Sequence, residues 1–253
     1  MGDGTATTAR RLGARARFLP AGDTAFAVEF GERIDPAINA LVHRTAALLA
    51  AAPPEGLVET VPSFRSLLVH YDPLTTNAET LQKLIGELEL DEATSVGAGR
   101  IWRIPSLYGG ASGADLAEVA AATGLSEAEV IALHAGTLYR VYAQGFLPGF
   151  AYLGDLPASL DLPRRINPRV RVPAGSVAIA QRMTGIYPVE SPGGWHLIGH
   201  TPLRFFDPGK APPTLFAPGD RVRFVPVDAS AHAAIAEAVA RGSYVLETEG
   251  LST

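Results

Sequence analysis

The sequence contains no cysteine among its 253 residues. Disulfide bonds, thiolate metal ligands and a cysteine nucleophile are therefore excluded, and a cytoplasmic location is expected. Positive charge is also scarce, because 26 acidic residues outnumber 21 Lys and Arg and leave a formal net charge of -5. General binding to nucleic acid or to an anionic membrane requires an excess of positive charge, so neither partner is expected.

Long apolar runs are missing as well. No stretch approaches the roughly 18 residues that a membrane span requires. The arginine-rich start, with Arg10, Arg11, Arg15 and Arg17, is not followed by the apolar segment of a signal peptide. Residues 1–14 are therefore predicted to form a disordered leader.

Established catalytic motifs are absent too. The sequence has no GxxxxGK[ST] loop, GxGxxG, GxSxG or HExxH, and no cluster with the spacing of zinc ligands. His196 and His200 would share a face of a strand but lie roughly 13 Å apart, which is too far for one ion. No metal site is predicted, and any ATP site must be unusual, shared between chains or on another chain.

The apolar pattern that remains is typical of a globular protein with two domains. Over residues 15–95, Phe26, Val28 and Phe30 alternate as in a strand, and Asp35-Pro36 is a helix start. Thr76 and Glu79 have the spacing of a capping box that opens a second helix. The predicted element order, ββαββαβ, indicates a ferredoxin-like split βαβ module.

Residues 96–253 have a different pattern of predicted helices and strands. Ser126 and Glu129 form a second capping box within two short helices. Short strand-like segments, such as Ser176–Ala180 and Arg221–Val225, then alternate with Gly and Pro. This punctuation predicts a closed β-barrel preceded by a two-helix lead-in, so the fold class of the whole chain is α+β.

Aromatic residues in the first candidate segment lie on either side of a Leu-Pro-Gly turn. Phe146 and Phe150, with Tyr152 just beyond, could form a wall that binds a ring. The same residues could equally be a well-packed corner of the barrel.

Arginines dominate the second segment, where Arg165, Arg169 and Arg171 lie between prolines. Guanidinium groups suit carboxylate and phosphate, and the prolines reduce the entropy lost on binding. The alternative is a solvated basic edge that prevents strand pairing.

Glycines mark the third segment, in which Gly193-Gly194 precedes Trp195. Exposed backbone N–H groups in such a loop can bind an anion or an oxyanion. The candidates for acid, base or orienting residue are Glu190, Ser191 and His196, and Tyr187 lies in the same segment. A glycine-bearing hairpin turn with satisfied partners is the alternative.

These segments together resemble the KipI family, whose members are also called 5-oxoprolinase B subunits or allophanate hydrolase subunit 1. The resemblance rests on the sequences Gly145–Gly154, Arg171–Val177 and Thr184–Gly199. It implies an α+β N-terminal domain and a cyclophilin-like β-barrel. It also implies a hydrolase subunit, inactive alone, that opens 5-oxoproline to glutamate at the cost of ATP, with Mg. The implied partners are a KipA-like subunit and a third, barrel-type subunit.

Other functions fit the same resemblance. Similar paired domains form the carboxyltransferase part of urea carboxylase, and one family member is described as a histidine-kinase inhibitor. Prolyl isomerisation is not expected, because a fold alone does not carry a function. The chain departs from the family pattern at Ala151, where Pro is expected, and at His200, where Arg is usual.

Overall fold

The computed structural model describes residues 10–14, 16–90 and 99–250. The chain divides into two compact units, Met1–Gly97 and Ala98–Thr253. Within the described ranges, none of the helices combines the length and the apolar character that crossing a membrane requires.

The predicted leader is partly ordered. Residues 1–9 lie outside the described residues, but Arg10–Arg11 forms a strand and Leu12 begins a short 3₁₀ turn. Leu12 is buried in the same apolar cluster as Leu81 and Ile85, and its N–H donates to the Leu88 carbonyl at 3.0 Å. The predicted disorder therefore does not extend to Leu12, because this side chain completes an apolar core.

The first unit is built on an antiparallel sheet and two helices. Its elements are β1 (Arg10–Arg11), β2 (Arg17–Pro20), β3 (Ala25–Glu29), α1 (Pro36–Ala51), β4 (Leu57–Pro62), β5 (Ser66–Tyr71), α2 (Ala78–Glu87) and β6 (Glu89–Leu90). The sheet order is β2-β3-β5-β4, so β5 lies between the two strands that flank α1 in sequence. β2 is the edge strand next to β3. The strand that follows α2 is β6, which lies outside this sheet and pairs with β1.

The helix starts test the capping predictions. Asp35 caps α1, since its carboxylate accepts from the Ala37 and Ile38 N–H groups at 2.8 and 3.2 Å. The cap of α2 is Asn77, not Thr76, so the predicted Thr76 capping box is wrong. The Thr76 N–H is held at 3.0 Å by the Asp72 carbonyl, and Thr76 therefore stays in the preceding turn.

The second unit is a closed barrel. Its elements are β7 (Arg100–Tyr108), α3 (Leu116–Thr123), α4 (Glu127–Gly136), β8 (Tyr139–Gln144), β9 (Ala151–Gly154), β10 (Arg169–Val172), β11 (Ser176–Ala180), β12 (Met183–Ile186), β13 (Ser191–Gly193), β14 (His196–His200), β15 (Arg221–Pro226), α5 (Ala229–Ala240) and β16 (Thr248–Gly250). The order β14-β11-β12-β9-β8-β15-β7 closes through a β14–β7 pairing, and β16 adds to β7. The α+β class and the closed barrel are confirmed, consistent with the cyclophilin-like fold that the resemblance implies. The Ser126–Glu129 capping box of α4 is also present.

Two apolar layers lie on opposite sides of the barrel sheet. Val177 and Ile179 point into the barrel core, and the alternating Ala178 and Ala180 belong to a separate outer cluster. We call this cluster, with its partly buried neighbours, the outer aromatic layer; it comprises Leu147, Phe150, Tyr152, Val172, Ala178, Ala180, Met183, Tyr187, Trp195 and Leu197. The β10–β13 ribbon contributes Val172 to it, so the ribbon and the barrel wall enclose the layer.

Candidate functional site

A pocket of about 350 Å³ opens at the outer aromatic layer. Its volume is within the range of small-molecule sites. It is lined by Phe146, Leu147, Phe150, Tyr152, Arg164, Pro168, Tyr187, Ser191, Pro192, Gly193, Gly194 and Trp195. The structure therefore brings together the aromatic and glycine residues that the sequence predicted from separate segments.

Edge-to-face aromatic contacts fix the walls of the pocket. The Phe150 ring centroid lies 5.0 Å from Tyr152, 5.5 Å from Tyr187 and 5.7 Å from Trp195. Burial raises the pKa of both tyrosine hydroxyls, and the nearby Arg164 charge offsets only part of that rise. Both hydroxyls are therefore neutral at physiological pH, and the walls are flat, apolar and uncharged.

The Gly145–Phe150 turn places one ring at the mouth of the pocket. Phe146 has φ of 70° and is 62% exposed as a residue. A non-glycine residue in this region costs on the order of 1 kcal/mol. The backbone is thus strained where it holds an exposed aromatic ring 5.7 Å from Phe150, as expected for a binding surface.

Gly193 is required by the close approach of the Tyr187 ring. A Cβ at Gly193 would lie 2.7 Å from Cζ of Tyr187, whereas a Cβ at Gly194 would meet nothing closer than Pro168 at 3.6 Å. The Trp195 backbone N–H also bonds the Tyr187 hydroxyl. Gly193 therefore lets the ribbon lie directly on the aromatic wall.

Gly193→Ala should lower the free energy of unfolding by about 2 kcal/mol, because the new methyl group must displace the ring or the ribbon. Gly194→Ala is the matched control and should cost less than about 0.5 kcal/mol, since its methyl group makes an ordinary contact. Urea unfolding of both variants measures the difference. Equal losses for the two variants would contradict the proposed close packing at Gly193.

The positively charged side chain that lines the pocket is Arg164, which was not among the predicted site residues. Its side chain is exposed and lines the pocket, and no ion pair to it exists within residues 10–14, 16–90 and 99–250. Arg165, Arg169 and Arg171 were predicted instead, as arginines held between prolines. Only Arg169 and Arg171 lie on a strand, which begins at Arg169, so Arg164 and Arg165 belong to an irregular segment before it.

Arg165 and Arg169, predicted to bind an anion, instead bind the chain's own Asp115. Arg169 donates two bonds to this buried carboxylate at 2.6 and 2.7 Å, and Arg165 donates one at 2.9 Å. Asp115 also accepts the Leu197 N–H at 2.7 Å. The two arginines are therefore structural, and they fix the segment that carries Arg164 and Pro168.

Asp115 keeps its charge despite burial. Burial alone would raise the pKa of this carboxyl, but the bonds from Arg169 and Leu197 and the nearby arginine charges outweigh it and lower the pKa. Asp115 lies 50 and 54 residues from its two arginine partners. No local motif in the sequence reveals such a contact.

The remaining predicted residues separate into two groups. Arg171 pairs with Glu190 at 2.7 Å on the surface, and neither residue lines the pocket. His196 is buried, and its Nε2 donates to the Pro163 carbonyl at 2.9 Å. Glu190 and His196 therefore do not form a catalytic group with Ser191. Glu190 is bound to Arg171, and His196 is bound to the Pro163 carbonyl.

Ser191 is the one predicted catalytic residue that reaches the pocket. Its Oγ is buried and has no hydrogen-bond partner in the described part of the chain. A buried hydroxyl without a partner requires an explanation, and a ligand in the pocket would provide one. The site thus offers aromatic walls, one guanidinium and one hydroxyl, and no described group of three or more His, Asp or Glu is placed to hold a metal ion.

Comparison with known proteins agrees with this architecture. Residues 16–216 match the family described as carboxyltransferase domain, subdomain C and D. The chain is 45% identical to the 5-oxoprolinase B subunit of Escherichia coli O157:H7 over 216 residues, which cover 84% of this chain and 96% of the relative. It is 41% identical to the 5-oxoprolinase B subunit of Bacillus subtilis (strain 168) over 218 residues, covering 81% and 90%.

A solved structure extends the agreement in fold. The K. lactis urea amidolyase superposes with a TM-score of 0.79 at 21% identity, over 93% of this chain and 16% of that chain. At this identity the likeness concerns the fold. The matches of the two bacterial relatives, however, cover most of both chains, and this chain therefore belongs to the carboxyltransferase-domain family that contains the 5-oxoprolinase B subunits.

Proposed function

We propose that this chain is the B subunit of an ATP-dependent 5-oxoprolinase, which opens the 5-oxoproline lactam to L-glutamate. The observation that carries the proposal is an aromatic pocket lined by one guanidinium, which has no ion pair among the described residues, in a chain 41–45% identical to proteins of that name. 5-Oxoproline is a small, flat ring with one carboxylate, so its shape and charge match this pocket.

The pocket residues have distinct roles in this proposal. Phe150, Tyr187 and Trp195 enclose the ring and exclude water. Arg164 binds the carboxylate, which is the one group of the substrate that carries a full charge. Ser191 Oγ donates to the lactam carbonyl oxygen, where negative charge develops during ring opening.

The pocket does not suit ATP itself. One guanidinium matches one carboxylate, whereas a triphosphate with Mg requires more positive charge. ATP, when bound, would supply the phosphoryl group that activates the lactam oxygen. We propose that ATP and Mg bind outside this pocket, with contributions from a KipA-like subunit and a third, barrel-type subunit, and that the chain is inactive alone.

The test is ATP hydrolysis stimulated by 5-oxoproline, measured for this chain alone and then with co-expressed partner subunits. Stimulation only in the assembled mixture is expected. In that mixture, Arg164→Gln should raise KM for 5-oxoproline roughly 10- to 100-fold with little change in kcat, because the carboxylate is bound equally before and during the reaction.

Arg171→Gln is the control for Arg164→Gln. It removes an exposed ion pair with Glu190 that lies outside the pocket lining, so KM should stay within about twofold of wild type. Equal effects of the two substitutions would contradict the assignment of the carboxylate to Arg164.

A second function is supported by a sequence relative. The urea amidolyase of Lachancea kluyveri is 25% identical to this chain over 271 residues, which cover 94% of this chain and 15% of the relative. A carboxyltransferase acting on a ureido substrate would use the same pocket. A verified complex that responds to urea or allophanate and not to 5-oxoproline would establish that alternative.

A further inference from the structure

Two arginines face each other on the outer wall of the barrel. Arg140 on β8 and Arg221 on β15 are direct partners in the antiparallel register. Both are on the outer face, because the alternating neighbours Tyr139, Val141 and Val222 belong to the barrel core. Like charges directly opposite each other destabilise a sheet.

Among the described residues, neither arginine has an acidic partner at ion-pair distance. No ion pair or side-chain hydrogen bond of Arg140 or Arg221 occurs in the described ranges, and Nε of each is buried without an acceptor. Asp155 is nearby, but it accepts the Tyr142 hydroxyl at 3.0 Å. Burial and the Arg140 charge hold the pKa of Arg221 below its usual value, and Asp155 offsets only part of this.

The neighbouring arginine pair on the same face, Arg103 and Arg223, differs because acidic residues bind one of its members. Arg103 on β7 is the register partner of Arg223. The chain neutralises Arg103 with Glu247 and Glu249, both at 3.0 Å. Arg223 is exposed and, in the part of the chain that the structure describes, has no ion pair. Positive charge around Arg140 and Arg221 is thus offset only in part, by Asp155, whereas Arg103 is fully paired.

We propose that Arg140 and Arg221 bind a phosphate group. A phosphate dianion neutralises two positive charges, whereas a single carboxylate neutralises one. Guanidinium groups match phosphate oxygens with two parallel donors, and the terminal N–H groups of both arginines have no acceptor among the described residues. Arg223, two residues from Arg221 on the same face, adds a third cation.

The phosphate site lies close to the aromatic pocket but does not depend on its function. Arg140 pairs with Gly154, and Gly154 and Tyr152 are two residues apart on β9, so their backbones are about 7 Å apart. Inorganic phosphate would bind here whatever substrate the pocket takes. If the ligand is ATP, its phosphates would lie next to the ring-binding site.

The test is the melting temperature of the isolated chain in phosphate and in chloride at equal ionic strength. At a phosphate concentration about a hundredfold above Kd, the wild-type Tm should rise by about 5 °C. Arg140→Gln and Arg221→Gln should each lose this rise. Without phosphate, each variant should melt at or above the wild-type Tm, because a repulsion between like charges is removed.

Arg241→Gln is the matched control, since Arg241 is exposed on the surface beyond α5 and pairs with Glu237 at 3.5 Å. It should keep the full response to phosphate. ATP, tested in the same way, separates two sources: a rise with both anions indicates a general phosphate site, and a rise with ATP alone indicates a nucleotide site.

Three results would overturn the proposal. The first is a wild-type Tm that responds to neither anion beyond the chloride control, as expected if the face binds an acidic protein segment. The second is a response that persists in both glutamine variants. The third is a fall of several degrees in both variants without phosphate, which would make the arginines structural. Two separate variants are used so that poor folding of one leaves the other as the test.

Discussion

Asp115→Asn should lower the free energy of unfolding of the barrel unit by about 3 kcal/mol, the lower end of the range for breaking a buried ion pair. The asparagine keeps the size of the side chain but loses the charge that holds Arg165 and Arg169. Both guanidinium groups retain some contact with solvent, which limits the loss. Trp102 and Trp195 both lie in the barrel unit, so tryptophan fluorescence during urea unfolding reports on this unit.

The same substitution should weaken the pocket. Arg164 and Pro168 lie in the segment that Asp115 attaches to β14 through the Leu197 N–H. Freed from that attachment, the segment no longer fixes Arg164 toward the carboxylate position, and KM for the substrate should rise.

Glu118→Gln is the control for Asp115→Asn. Glu118 bonds the same Arg165 at 2.8 Å, but its side chain is exposed, so its loss should cost less than about 1 kcal/mol. If Asp115→Asn unfolds at the same urea concentration as Glu118→Gln, the buried carboxylate does not organise the segment.

Acid should destabilise the barrel unit through one buried histidine. Burial lowers the pKa of His134 to about 3. The Thr184 hydroxyl donates to Ala178, so it accepts from His134 Nε2 at 2.9 Å, and Nδ1 then accepts from the Tyr108 hydroxyl at 2.8 Å. The neutral ring satisfies both bonds, and a proton on Nδ1 would break the second.

The sign of the effect follows from proton uptake. Between pH 6.5 and 3 the unfolded chain binds a proton at His134 and the folded chain does not, so stability falls as the pH falls. The loss is about 2 kcal/mol at pH 5, from 1.36 kcal/mol per pH unit below about 6.5. At pH 7 and above this contribution is fully present.

His134→Gln separates the contribution of His134 to the pH dependence of stability from other effects of acid. The variant should be less stable than wild type at pH 7, and the gap should shrink by about 2 kcal/mol between pH 7 and pH 5. Urea unfolding at both pH values measures the gap. A gap that is independent of pH would mean that His134 takes up its proton over the same pH range in the folded and in the unfolded chain.

The pocket walls could be predicted from sequence because their information is local. Phe146 and Phe150 flank a rigid turn, and Gly193, Gly194 and Trp195 are consecutive. Each short segment has two interpretations in the sequence: a presented ring or bare backbone, or a packed corner or satisfied hairpin turn. Barrel closure then brings the segments together.

The roles of the arginines could not be predicted, because they depend on a distant carboxylate. Arg165 and Arg169 are of the residue type that binds anions, and they do bind one. That anion is the Asp115 carboxylate of the same chain. Arg164 differs from Arg165 only by one position in an irregular segment. Which of the two faces the pocket is decided by the Asp115 contact and by the Arg165 N–H bond to the Gly194 carbonyl at 2.8 Å.

The position of β7 has a consequence for synthesis of the chain. β7 pairs in parallel with β15, so Ile101 and its partner Arg221 are more than a hundred residues apart in the sequence. When β7 leaves the ribosome, its partners in β14 and β15 do not yet exist, whereas the sheet of the first unit is already complete. We therefore expect the barrel to fold late and slowly, with β7 an unpaired edge strand until the last third of the chain is made.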